Sequence, residues 1–139
     1  MKNVAKKIYE ELQQDGSYPV RVFHGCQVFA QLYENHPHID DPTLAPNISM
    51  TCDTEKNIWI ITVTEAPLIP KAKIASAINE KCPWLTSHIY TCEYKALFNC
   101  RYLVITIGLD DDLCRTFVDR LKSIDLMLRE LLELPATGS

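Results

Sequence analysis

The stretch Asn47 to Ala66, NISMTCDTEKNIWIITVTEA, decides the fold. ISMTC and IWIITVT are rich in β-branched and aromatic residues, which favour a pleated strand, and the polar DTEKN between them suits a hairpin turn. The second run is apolar on both alternations, with Trp59, Ile61 and Val63 on one and Ile58 and Ile60 on the other. It is therefore expected to be a central strand covered on both faces.

Beyond this hairpin, Pro67 and Pro70 bracket a turn, and Pro70 suits the first turn of a helix, where its missing N–H costs nothing. Ile74, Ala77, Ile78 and Cys82 recur at helical spacing until Pro83 stops them, predicting a short middle helix. SHIYTCEY and CRYLVITIGL read as strands joined through KALFN. A long terminal helix then runs from about Asp111 to Leu134, roughly 36 Å at about 1.5 Å per residue. Its stripe is Leu113, Phe117, Leu121, Ile124, Leu128 and Leu131, widened by Val118, Met127 and Leu132.

Before the hairpin, residues 35–47 (NHPHIDDPTLAPN) hold three prolines and form a loop. Tyr18 to Tyr33 is read as extended with a bend at Gly25. Lys2 to Gln14 is a helix with Val4, Ile8 and Leu12 on one face and Asp15-Gly16 as its stop. The order predicts a single α+β domain, residues 1–139: an antiparallel sheet of four to five strands with an N-terminal helix, a short middle helix and a long C-terminal helix.

Composition excludes several classes of function. The 139 residues are 47% hydrophobic and 23% charged, as in an ordinary globular chain. A net charge of −4 with scattered basic residues argues against nucleic acid, whose binders cluster Lys and Arg on phosphates. The opening MKNVAKKIYEEL lacks the apolar centre of a signal peptide, and Ile58 to Val63 falls far short of the roughly 20 residues that span a bilayer. No membrane insertion is expected, and a cytoplasmic location is. In that reducing setting the six cysteines, none within three residues of another, read as small hydrophobes. Four glycines and no G-x-S-x-G or P-loop pattern leave no phosphate-cradling loop and no expected cofactor.

The residues with chemistry to offer are few. Asp110, Asp111 and Asp112 lie where strand becomes helix, so Asp110 is expected to cap the free N–H groups while its neighbours meet the positive end of the helix dipole. A Mg²⁺ or Ca²⁺ site there would need oxygen ligands from elsewhere, and Asp40-Asp41 has no evident link to it. His36 and His38 share a loop with those two aspartates, and His24 lies two residues from Cys26. These are zinc-ligand types without the spacing of a closed four-ligand site, so no metal centre is assigned. Cys26 with His24 is also the best available nucleophile–base pair, with no orienting third group.

Val118, Leu126 and Met127 make the terminal stripe broader than one face, so the helix either covers a wide sheet or also reaches a partner. Trp59, Trp84, Tyr90, Tyr94 and Tyr102 could line a peptide-binding sheet face, although Trp59 fits the core better. The partner-binding candidates are thus Val118, Leu126, Met127, Tyr90 and Tyr94.

The sequence of elements, with the hairpin quoted above, the helix PKAKIASAINEK, the strand pair ending in CRYLVITIGL and the terminal DLCRTFVDRLKSIDLMLRELLEL, resembles the α-β-β-β-α-β-β-α plan of class I type III secretion chaperones and their YbjN-like relatives. The resemblance implies a small acidic protein, often a homodimer, that holds a partner polypeptide through hydrophobic grooves and sheet edges and has no catalytic residues. The leading expectation is a non-catalytic chaperone-like or adaptor-like module binding a protein or peptide. The alternatives are an acidic inhibitor or immunity-type protein that blocks a basic target with its aspartates, and a small metal-dependent enzyme built on His36, His38 and Cys26.

Overall fold

The computed structural model describes residues 2–34 and 46–135. Its elements are α1 (Lys2–Asp15), β1 (Val20–His24), β2 (Gln27–Tyr33), β3 (Asn47–Asp53), β4 (Ile58–Thr64), α2 (Lys71–Lys81), β5 (Ile89–Leu97), β6 (Cys100–Gly108), α3 (Asp111–Arg115) and α4 (Phe117–Leu131), with a 3₁₀ turn at Pro83–Ser87. The chain is α+β. The strands form one antiparallel sheet in the order β1-β2-β3-β4-β6-β5.

Six strands replace the expected four to five. The difference arises at Gly25, whose φ of +61° is a conformation glycine adopts without a steric penalty. With His24 paired to Gln27, Gly25 and Cys26 form a tight turn, so Tyr18 to Tyr33 is a hairpin and not one bent segment. Four strands therefore lie between the first two helices, one more than in the plan that the element order resembles.

One sheet face is covered by helices. Val28 and Ala30 of β2, Ile48, Met50 and Cys52 of β3, Trp59, Ile61 and Val63 of β4, and Leu103, Ile105 and Ile107 of β6 are all buried. They pack with Ala5, Ile8 and Leu12 of α1, Ile74 and Ile78 of α2, and the whole predicted stripe from Leu113 to Leu131. The rings of Trp59 and Phe117 lie 4.3 Å apart, fixing α4 over β4, and the Trp59 indole N–H donates to Met50 Sδ at 3.1 Å. Burial on the β4 strand alternates: Trp59, Ile61 and Val63 have no exposed surface, whereas Ile58 and Ile60 are half-buried on the opposite face. The expectation that both faces are covered is corrected accordingly: among the described residues every helix packs on one side.

The terminal helix is two helices. Thr116 leaves helical geometry (φ −112°, ψ 26°), and its hydroxyl donates back to Asp112 O at 2.9 Å, an interaction that competes with regular helix. The C-terminus comes at Leu131, before Pro135: Glu133 adopts φ +58° and the Leu134 N–H returns to Arg129 O at 2.8 Å, closing the end as left-handed caps do.

Candidate functional site

Asp110 answers the expectation placed on it. Its Oδ1 accepts from the Leu113 N–H at 2.8 Å, capping α3, while Oδ2 meets His88 Nε2 at 3.0 Å. Asp112 faces Arg115 and Arg120, each at 3.7 Å, and the Arg120 guanidinium lies 4.9 Å over the ring of Trp84. Two of the three aspartates are therefore engaged within the chain.

Ser87, His88 and Asp110 form a hydrogen-bonded series that sequence reading did not bring together, since His88 and Asp110 stand 22 positions apart. The series resembles a nucleophile, base and orienting acid, but its geometry differs in a decisive way. His88 Nδ1 lies 3.0 Å from the Trp84 carbonyl oxygen, which can only accept, so this nitrogen carries a hydrogen and cannot take one from Ser87. With Asp110 at the other nitrogen, the ring faces an acceptor on each side. It pins the 3₁₀ turn to the start of α3.

The bond from Leu113, followed by that from His88, holds the Asp110 carboxyl below the usual aspartate range. Stability from a depressed carboxylate is present above the unfolded pKa, about 3.9, and is lost as pH falls through the lower folded value. In a carbon-13 carboxyl titration Asp110 is expected to remain ionised where an unconstrained aspartate protonates. Asp110→Asn, which keeps a capping oxygen, should reduce the loss of stability in acid. An ordinary titration midpoint for Asp110 would contradict this account.

Of the other expected ligand residues, the structure describes His24 and Cys26. His24 is exposed at the end of β1, and Cys26 is half-buried in the turn, where its carbonyl accepts from the Thr54 N–H at 2.9 Å. His36, His38, Asp40 and Asp41 lie outside the described residues. Among the described residues no three of His, Cys, Asp and Glu come together as a metal site.

The partner-binding candidates separate as well. Leu126 is 46% exposed on α4 and Val118 is half-buried, but Met127 is 1% exposed and belongs to the core, which removes it from any surface. Tyr90 and Tyr94 are on opposite faces of β5. Tyr94 pairs with Leu103 on the helix side, and its hydroxyl donates to Pro67 O and accepts from the Ile69 N–H, both at 2.9 Å. Tyr90 lies across Gly108 on the other side, where a Cβ at position 108 would stand 2.6 Å from the Tyr90 hydroxyl, so a side chain there would displace the exposed Tyr90 ring.

An apolar concavity lies beside Tyr94. Among the described residues β5 is the last strand of the sheet and pairs only with β6. α2 runs above it, presenting Lys71, Ile74, Ala75 and Ile78, a helical one-face spacing. Between this face and Cys92, Tyr94 and Leu103 runs a cleft of about 470 Å³, with Glu93 at its margin. Its floor is apolar and its two charges, Lys71 and Glu93, are at the rim. Burial raises the Cys92 thiol above its ordinary range, with Lys71 opposing weakly, so the sulfur is a protonated wall group and not a nucleophile. The sequence held the apolar faces of α2 and β5 but not their juxtaposition at a sheet edge, which depends on β6 inserting between β4 and β5.

Compared with protein-family models, curated proteins and solved structures, the chain matches none. Among the described residues no helix is long and apolar enough to cross a membrane.

Proposed function

We propose that this chain is a non-catalytic polypeptide-binding module, chaperone-like or adaptor-like, that takes a partner segment in extended form along β5. A single observation carries the reading: an apolar cleft opens along a strand that, among the described residues, has hydrogen-bonded pairing on one side only. Backbone N–H and C=O groups on the outer side of such a strand are a template for another strand, and a neighbouring apolar cleft selects alternate side chains. A cleft of this volume lies in the range of pockets that take small, largely apolar groups. The resemblance in element order points to the same class of activity.

This reading moves the partner surface away from α4, whose apolar stripe is spent on the sheet. It is also favoured over the acidic-inhibitor alternative, because Asp110 and Asp112 already have partners within the chain.

The test is to pan a random 12-residue peptide display library against the full chain and map the selected peptides by amide chemical shifts. Selected sequences should alternate apolar residues and perturb Thr91 to Lys95 together with Ala75. Ala75→Arg, at an exposed cleft position, should weaken binding tenfold or more, about 1.4 kcal/mol, with an unchanged thermal midpoint. Perturbation centred on Leu126 instead would place the site on α4 and overturn the assignment.

A further inference from the structure

Leu97 and Cys100 flank the two-residue turn Phe98-Asn99, whose φ values of +53° and +60° are both positive, as a type I′ hairpin turn requires. The flanking pair of such a turn exchanges its hydrogen bonds, and antiparallel pairs alternate. Lys95 and Glu93 therefore also bond to β6, whereas Ala96, Tyr94 and Cys92 turn their N–H and C=O groups to the outer edge. Arg101 fixes this alternation: it stands opposite Ala96, and its carbonyl points away from β5 to accept from the Ala66 N–H at 3.0 Å. Tyr94 and Cys92 thus offer free backbone groups outward while their side chains line the cleft. In a strand added along β5, the two residues opposite them, at i and i+2, send their side chains into that cleft.

The end of the cleft at Tyr94 is bounded and carries a free cation. The Tyr94 hydroxyl holds the segment that enters α2, donating to Pro67 O and accepting from the Ile69 N–H. Lys71 follows at the start of α2 and lines the cleft. It has no ion pair among the described residues, while the other charge lining the cleft, Glu93, is paired with Lys95 at 3.7 Å. The first turn of α2 carries no acidic residue and no side chain caps it, so the helix supplies no carboxylate of its own there.

The geometry points to the free C-terminus of a partner polypeptide as the occupant: its last residues pair with the outer edge of Cys92 and Tyr94, two apolar side chains enter the cleft, and the terminal carboxylate meets Lys71. This rests on the reading of β5 as a polypeptide-binding edge and adds which part of the polypeptide is taken. A chain end is favoured over a segment that runs through because Pro67 to Ile69, tied down at Tyr94, stand where the cleft reaches Lys71. A terminus also always brings the carboxylate that Lys71 lacks, whereas an internal segment brings one only where its sequence holds Asp or Glu.

The test is to pan two libraries of random 12-residue peptides against the full chain, one displayed with free C-termini and one closed at that end by the carrier. Free ends should be enriched, with apolar residues at the last and third-from-last positions. Enriched peptides are then synthesised as acid and as amide and titrated by fluorescence polarisation. The acid should bind about tenfold more tightly or better, the size of a charge-assisted hydrogen bond. Lys71→Gln should bring the two forms to within about twofold, and Lys71→Arg should keep them apart. Lys71 is exposed, so both variants should keep the native far-UV circular dichroism. Acid and amide that bind alike to the wild type, with Ala75→Arg weakening both, overturn the choice of a chain end and leave the polypeptide reading standing. Discrimination that survives Lys71→Gln also overturns it, since the carboxylate then lies elsewhere. If no peptide of either library binds with amide shifts at Thr91 to Lys95, both readings fall.

Discussion

Asp125→Ala is expected to lower the stability of the fold by about 3–5 kcal/mol, because it strands a buried guanidinium. Asp125 and Arg129 are 1% and 8% exposed. Arg129 Nε donates to Asp125 Oδ1 at 2.8 Å, and the Tyr18 hydroxyl donates to Oδ2 at 2.8 Å. The same guanidinium donates to the carbonyls of Leu32 at 2.7 Å and Pro135 at 3.0 Å, and lies 5.2 Å over the Tyr33 ring. One residue thus links α4 to the end of β2 and to the segment that leaves α4, while Asp125 reaches the connection after α1. Burial, followed by the Asp125 charge, raises the Tyr18 hydroxyl far above the ordinary phenol range, so it remains a donor. Urea unfolding should show a lower midpoint at an unchanged slope. Replacing both partners, as in Asp125→Leu with Arg129→Met, should cost less than Asp125→Ala alone, because no uncompensated charge is left buried. A single-variant loss below about 1 kcal/mol would mean that water reaches the guanidinium and that the network does not pin the helix.

That network shows how far sequence carries. Asp125 and Arg129 stand four residues apart on a helix, which by itself reads as a surface ion pair. Their burial depends on Tyr18, 107 positions away, and on the end of β2. Ile8 and Leu12, by contrast, are buried on the face that their helical spacing predicts, with Val4 half-buried beside them. Local periodicity was sufficient there. It failed where the outcome is topological. Ile58 and Ile60 look like core, and only the placement of every helix on one side leaves them facing outward. The cleft beside β5 exists because β6, later in the chain, takes the position next to β4. The break at Thr116 depended on a hydroxyl choosing the Asp112 carbonyl, which a stripe of apolar residues on both sides concealed.

Met127→Lys is expected to abolish most of the folded population, with a loss above about 4 kcal/mol, while Leu126→Lys stays within about 0.5 kcal/mol of the wild type. The two residues are neighbours on α4 with similar helix propensity, and the new residue is the same, so the helix itself is nearly equally affected. What differs is direction. Successive helical residues turn by about 100°, and Met127 falls three after Ile124 and four before Leu131, inside the buried stripe, whereas Leu126 stands 46% exposed. An ammonium at position 127 would enter a core of Trp59, Ile61 and Phe117 among others, where no described carboxylate except Asp125 is buried, and that one is already bound to Arg129. Comparable losses for both variants, measured by thermal and urea unfolding, would show Leu126 to be covered and α4 to have a second packed face. If instead Leu126→Lys folds normally and binds the selected peptides, the exposed apolar position of α4 takes no part in the proposed recognition. Recognition is then left to the site proposed at the last strand, β5, where α2 and the sheet edge form the cleft.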